Sequence, residues 1–186
     1  MMIDDALHAA DTKMQKTVQV LKREMETIRS GRATSALVDH IAVEAYGTNT
    51  PLSQLASISV PEARLLLIQP WDRSIVGNVQ KAIQKSDLGL NPMSDGEVIR
   101  LVVPPPTEER RKELVKVVHK RVEDAKIAVR NVRRDALEEL RKLEKGKEIS
   151  RDDNVRATDK LQKLTDRFIG EVSKVGADKE AEIMEV

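Results

Sequence analysis

Near the start of the chain, apolar residues recur at steps of four and three. Ile3, Leu7, Ala10, Met14, Val18 (or Thr17), Leu21, Met25 and Ile28 keep this spacing over about four heptads, the period of a helix with one buried seam. The pattern predicts a helix over residues 1–29, about 40 Å long at its usual rise. Asp4 and Asp5 suit the positive end of its dipole. Such a seam must bury against other helices. Ser30-Gly31-Arg32 ends it, and Gly31 suits a left-handed helix cap.

The period then changes. Leu37, Asp39, Ile41, Val43 and Ala45 alternate with their neighbours as in a strand, and Tyr46-Gly47-Thr48-Asn49-Thr50-Pro51 reads as a turn cluster. Ile58–Val60 and Leu65–Ile68 favour strands, with Pro61 and Pro70 as punctuation. Ile75, Val79 and Ile83 mark a short helix before Ser86-Asp87, Asp87–Pro92 is loop-like, and Val98–Val103 is a further strand. Residues 31–105 thus form a small mixed α/β unit.

Pro104-Pro105-Pro106 closes that unit with a stiff extended linker that no helix can cross. Thr107 can cap a second long helix, with Glu108 and Glu109 in its first turn. Its seam is Leu114, Val118, Val122, Ala125, Val129, Val132, Ala136, Leu140 and Leu143, and Gly146 breaks it. Ser150 with Asp153 resembles a capping box and starts the third helix, whose apolar side is Leu161, Leu164, Phe168, Val172, Val175 and Ile183. The expected fold is α+β: an elongated three-helix antiparallel bundle from residues 1–30 and 106–186, with the unit at 31–105 inserted. The two crossings, Ser30, Gly31 and Arg32 on one strand and Pro104, Pro105 and Pro106 on the other, form a natural hinge. The second helix exceeds the first by about 12 residues, so its hairpin with the third is expected to project about 18 Å beyond the first helix.

Composition narrows the class. Of 186 residues, 34% are charged and 2% aromatic, so the core must be aliphatic and the helices long. The absence of Cys excludes disulfides and cysteine metal sites. No apolar run approaches the ~20 residues of a membrane span, and the first residues carry neither a signal nor a transit pattern. A soluble, cytoplasmic protein with no membrane partner is expected.

Charge is distributed unevenly. Arg110–Arg134 holds ten Lys or Arg against three acidic residues, a net of +7; the whole chain is +1, so the remainder is −6. At about 100° per residue, Lys126, Arg130, Arg133, Arg134 and Arg141 share roughly a third of the circumference of one helix, beside its apolar stripe. Guanidinium groups offer a planar fork of donors that fits phosphate. A charged helix face is more often only solvated, and Glu123, Asp124, Asp135, Glu138 and Glu139 are near enough in sequence to neutralise it. The local excess of charge favours a polyanion-binding surface instead.

Signals for catalysis are lacking. His8, His40 and His119 are scattered, and no nucleophile or HExxH motif occurs. Asp152-Asp153 lacks calcium-loop spacing, and Gly47, Gly89 and Gly96 are isolated, so no phosphate-cradling loop forms. No metal, no cofactor and no enzymatic activity are expected.

Several motifs together resemble bacterial ribosome recycling factors over essentially the whole length. They are Arg29-Ser30-Gly31-Arg32-Ala33, Tyr46–Leu52, Ser86–Pro92, Thr107–Glu113, Val129–Ala136, Gln162–Asp166 and Lys179–Met184. Ser30 stands where that family often has Thr, and Pro106 where it often has Leu; the extra proline stiffens the hinge. The resemblance implies an L-shaped, monomeric translation factor that acts after termination. It would bind large-subunit rRNA of the ribosome and, with elongation factor G and GTP, split the post-termination complex; no DNA is involved. By match of motif, Arg133 is the principal rRNA-contacting residue, supported by Arg130, Arg29 and Arg110. With so few aromatic residues, stacking of bases on exposed rings is hardly available, and recognition is expected to rest on phosphates and RNA shape. Two other classes stay open on the residues alone: a coiled-coil adaptor for proteins, and a hydrolase housed in the mixed unit.

Overall fold

The structure, a computed structural model, describes residues 2–185. It divides into two compact units, one holding Glu109–Met184 with the segment up to Arg29, the other holding Ser30–Glu108.

Three helices make the first unit: α1 (Met2–Thr27), α3 (Glu108–Lys145) and α4 (Arg151–Glu185). The seams predicted from spacing are the buried faces. Met14, Val18, Leu21 and Met25 of α1 join Val118, Val122, Val129 and Leu140 of α3, and Leu161, Phe168, Val172 and Ile183 of α4, in one aliphatic core. Ile3, Leu7, Ile28, Leu164 and Val175 are only partly buried at its margin. Cross-helix ion pairs give the directions. Arg121 of α3 meets Glu24 of α1 at 3.4 Å, and Val132 lines the same groove as Lys13, so α3 runs antiparallel to α1. Arg167 of α4 meets Asp11 of α1 at 3.1 Å, and Ala157 lies beside Ile3, so α4 is parallel to α1.

Helix termini follow local chemistry. Ser150 and Asp153 form the capping box: the Ser150 N–H and hydroxyl donate to Asp153 Oδ2 at 3.2 and 2.6 Å, and the Asp153 N–H donates to Ser150 Oγ at 3.1 Å. The two bonds that the Asp153 carboxylate accepts, the one from the Ser150 hydroxyl first and the one from the Ser150 N–H second, hold that carboxyl below its usual pKa. α3 ends at Lys145, so the break falls at Gly146 as its sequence predicts, and the left-handed residue of the closure is Lys147 (φ 59). The Lys147 N–H donates to the Glu144 carbonyl and the Glu148 N–H to that of Leu143, a Schellman closure with Lys147 in the place usually held by glycine. Gly31 has the expected positive φ of 84, but it lies beyond the end of α1 at Thr27 and does not cap it.

The extra length of α3 points the other way from the expectation. Met2, Ile3 and Asp4 line one site with Glu148 and Ile149, so the α3–α4 turn is level with the start of α1. With Glu24 opposite Arg121, the surplus turns of α3 lie past the C-terminal end of α1. There Leu114 and Ile183 continue the core between α3 and α4.

The second unit contains β1 (Ala42–Ala45), β2 (Thr48–Pro51), β3 (Ala56–Glu62), β4 (Leu65–Pro70), α2 (Val76–Lys85), β5 (Met93–Ser94) and β6 (Ile99–Val102). β3-β4-β6-β5 form an antiparallel sheet, and β1-β2 a separate hairpin. Leu66 and Ile68 of β4, Ile99 and Leu101 of β6, and Val79 and Ile83 of α2 are fully buried together. Leu37 and Asp39 fall outside any strand: Ser35–Leu37 is a 3-10 turn, and only Ala42–Ala45 pairs. Thr48–Pro51, expected as turn, is strand β2. The turn is only Tyr46-Gly47, both with positive φ (53 and 79), a two-residue hairpin loop whose twist matches its strands.

Just inside each chain crossing, the backbone of the second unit is tied to neighbouring carbonyls of one turn. The Ala33 N–H donates to Ala63 O at 2.8 Å, and the Val103 N–H donates to Arg64 O at 2.8 Å. Ser30 is buried; Arg32, Pro104 and Pro105 are exposed, and Pro106 is half-buried.

Candidate nucleic-acid interface

Lys126, Arg130, Arg133 and Arg134 sit mid-helix on α3, where continuous helix fixes their spacing. Arg130 and Arg134 are exposed, and Arg133 and Lys126 are half-buried. Of the acids able to neutralise this face, Glu123 pairs with Lys126 at 3.4 Å and Glu138 with Lys142 at 3.5 Å. Among the described residues, none forms an ion pair or hydrogen bond with Arg130, Arg133, Arg134 or Arg141. Three neighbouring guanidinium groups with unfilled donors are therefore presented on one rigid element, at no cost of breaking internal pairs.

This face has a defined orientation in the bundle. His119 shares its arc, two turns earlier, and reaches Glu180 of α4 at 3.0 Å. The cations thus run along the α4 side of α3. Arg121 projects to the opposite shoulder, toward α1, where Glu24 holds it.

Arg29 and Arg110 stand apart. Arg29 is exposed in the irregular segment after α1. Arg110, in the first turn of α3, pairs with Glu113 at 3.0 Å. It lies 23 residues from Arg133, about 35 Å along the helix. Helical geometry therefore gathers Lys126, Arg130, Arg133 and Arg134 into one patch, with Arg29 and Arg110 at a remote end of the bundle.

The aromatic residues divide unexpectedly. Phe168 is buried, but Tyr46 is 71% and Trp71 69% exposed. Tyr46 donates its hydroxyl to the Asp72 carboxylate, which lowers the Asp72 pKa and raises that of the tyrosine. Exposed rings are thus available on the second unit, contrary to the expectation from composition; the bundle has none. Sequence counts types of residue but not where they surface, and two of the three rings occupy turns.

Among the described residues no group of three His, Asp or Glu side chains is placed to hold a metal ion, and no helix is long and apolar enough to cross a membrane.

The sequence pattern of the family described as ribosome recycling factor matches residues 21–184. Over 185 residues the chain is 55% identical to the ribosome-recycling factor of Dehalococcoides mccartyi (strain CBDB1), with 100% of each covered. It is 53% identical to that of Thermomicrobium roseum over the same extent. It is also similar to a solved structure described as the solution structure of the ribosome recycling factor, at 46% identity and a TM-score of 0.72, covering 100% of this chain and 99% of the other. A second similar structure is of T. thermophilus ribosome recycling factor, described with E. coli elongation factor G as bound to the E. coli post-termination complex. It matches at 41% identity and a TM-score of 0.63, over 98% of this chain and 99% of that one.

Proposed function

The chain belongs to the ribosome recycling factor family, and we propose that it binds the large-subunit rRNA of post-termination ribosomes through α3 and, with elongation factor G and GTP, splits them into subunits. The observation that carries the rRNA assignment is the set of unpaired guanidinium groups at Arg130, Arg133 and Arg134 on one face of a rigid helix. Lys126 extends that face, and Arg29 and Arg110 contact RNA separately at the far end of the bundle. Each guanidinium can grip phosphate oxygens through two parallel N–H donors. Contacts to phosphates fix register and orientation without reading sequence.

The bundle, residues 1–30 and 106–186, is the RNA-binding domain, and residues 31–105 form the domain that moves. Ser30, Gly31 and Arg32 on one side and Pro104, Pro105 and Pro106 on the other are the hinge. Two observations support this. Gly31 holds a left-handed backbone conformation that L side chains resist. Ala33 and Val103, just inside each crossing, are tied to adjacent carbonyls of the Ala63–Arg64 turn. Ala33 and Val103 would thus move with the smaller domain as one body, and the bending would fall on the residues just outside them. The chain itself supplies no bond-breaking group in this reading; the GTPase partner supplies the energy, and the protein acts as a monomer in the cytoplasm.

The test is ribosome pelleting and subunit splitting with elongation factor G and GTP. Arg130→Ala/Arg133→Ala is expected to lose binding and splitting together, with a smaller dependence of affinity on salt. Undiminished binding by this double variant would overturn the assignment of α3.

A further inference from the structure

The outer face of α4 carries a second line of cations that the α3 site does not use. Arg156, Lys160, Lys163, Arg167 and Lys174 follow steps of four, three, four and seven and are all exposed. At about 100° per residue they fall within roughly 60° of the helix circumference, over about 27 Å of its length. Between Arg156 and Lys174 no Asp or Glu enters that arc; Asp159, Asp166 and Glu171 flank it. Arg167 meets Asp11 and Glu171, at 3.1 and 3.9 Å. Arg156 lies near enough to Asp153 to help depress its pKa. Lys160, Lys163 and Lys174 have no ion pair or hydrogen bond among the described residues. The line opens on the side of α4 toward α1, as the Arg167–Asp11 pair shows, whereas Glu180 faces α3 at His119. It does not merge with the arginines of α3.

A glycine at the edge of the same arc distinguishes this face from ordinary solvated charge. Gly170 sits in the middle of α4, where glycine weakens a helix. Packing does not require it: a Cβ built at Gly170 meets nothing within 4 Å. Gly176, one face round, is needed for packing, because its Cβ would come within 2.4 Å of Val122. A helical glycine with open space before it, between Arg167 and Lys174, leaves room for another backbone to approach closely. No large apolar side chain lies in the arc, so the face lacks the aromatic and aliphatic anchors of a protein-binding hot spot.

We propose that this face of α4 is a second phosphate-binding surface that takes the backbone of an rRNA segment other than the one at α3, with Lys160, Lys163 and Lys174 as contacts and Gly170 as the point of closest approach. The bundle then bridges two RNA segments with two of its faces. This rests on the ribosome-binding reading above and extends it to a different face.

The test measures ribosome affinity across a salt series for the full chain. Lys160→Gln/Lys163→Gln is expected to weaken binding on the order of ten-fold and to lower the salt slope by about 1.5, at 0.7–0.9 per phosphate contact. Gly170→Gln is expected to raise the unfolding midpoint yet weaken binding several-fold, a split that a merely solvated face would not give. Lys81→Gln/Lys85→Gln on α2, an equal change of charge elsewhere, serves as the control. A photo-crosslinker on Asp159→Cys, the sole thiol in the chain, is expected to label rRNA. Unchanged affinity in both α4 variants while Arg133→Ala still weakens binding would overturn the α4 surface and leave the α3 reading intact. An equal loss in the α2 control, or crosslinks to ribosomal protein alone, would also overturn it. If Arg133→Ala has no effect while the α4 variants do, the α4 surface stands and the α3 reading falls.

Discussion

Gly176 of α4 lies directly against Val122 of α3: a Cβ at Gly176 would sit 2.4 Å from Val122 Cγ2. Both belong to the bundle interior. Val122 is β-branched and in a helix has one strongly preferred rotamer, so it cannot swing aside cheaply. Gly176→Ala gains up to about 1 kcal/mol of helix propensity but incurs overpacking of about 1–3 kcal/mol. The expected net is a destabilisation of about 1 kcal/mol in urea unfolding, relieved when Val122→Ala is added. Gly170→Ala, with open space before it, is expected to stabilise by about 0.5–1 kcal/mol. Equal signs for the two single variants would show that the close approach is not what selects glycine.

Leu21 is 1% exposed at the centre of the α1 seam, and Val20 beside it is 45% exposed. Leu21→Ala is expected to cost about 2–5 kcal/mol, and Val20→Ala to stay within about 0.5 kcal/mol. A loss below half of one kcal/mol at Leu21 would mean that the bundle does not rest on this seam.

The bundle was readable because its evidence is local. Each helix declares its buried face through spacing along its own sequence, and Met14, Leu21, Leu140 and Leu161 all fall where that spacing puts them. Strands answer to partners distant in sequence. Thr48–Pro51 looks like a turn by composition but pairs residue for residue with Ala42–Ala45, Thr48 opposite Ala45. Leu37 and Asp39 alternate like a strand yet find no partner and close a 3-10 turn. Met93-Ser94 is too short for any periodic signal and becomes a strand only beside β6. At the candidate site, angles were legible and distances were not. Lys126, Arg130 and Arg133 share a face, as their spacing requires, while motif matching grouped Arg110 with residues about 35 Å away along the helix. The cations of α4 repeat at helical spacing, but the net charge of that stretch is small, and counting charge does not reveal them.

The Ser150–Asp153 capping box gives a dependence on pH whose sign is fixed. Asp153 is held below its ordinary pKa, chiefly by the Ser150 hydroxyl. A depressed carboxylate contributes stability above its unfolded pKa of about 3.9, and that contribution is lost as pH falls through the folded value. Ser150→Ala is therefore expected to lower the unfolding midpoint at pH 7, with the difference from wild type narrowing below about pH 4. A difference that widens toward acid would contradict the box.

Arg133 and Arg121 lie about 120° apart on α3 by helical geometry, and only Arg121 has an acidic partner, Glu24. Arg133→Ala is expected to weaken ribosome binding and reduce its salt slope by about one. Arg133→Lys should recover part of the affinity but not all, since a point charge replaces a fork. Arg121→Ala is expected to leave binding near wild type. Equal losses at the two arginines would eliminate a directed face and leave only diffuse attraction.

The proposed hinge separates binding from splitting. Pro104, Pro105 and Pro106 allow one crossing little freedom, because each fixes φ near −65°. Replacing all three with glycine leaves the Val103–Arg64 hydrogen bond and the α3 arginines in place, since neither involves the proline side chains. If the stiff crossing transmits force from a partner acting on the smaller domain, the triple variant is expected to bind ribosomes with unchanged affinity and salt slope. It should split them with elongation factor G and GTP several-fold more slowly. Gly31→Ala affects the other crossing through strain, since L residues in the left-handed region cost roughly 1–2 kcal/mol, and it should shift stability more than affinity. Splitting at the normal rate by the triple glycine variant would show that stiffness in this linker has no part in the mechanism, and that the smaller domain acts through its own surface alone.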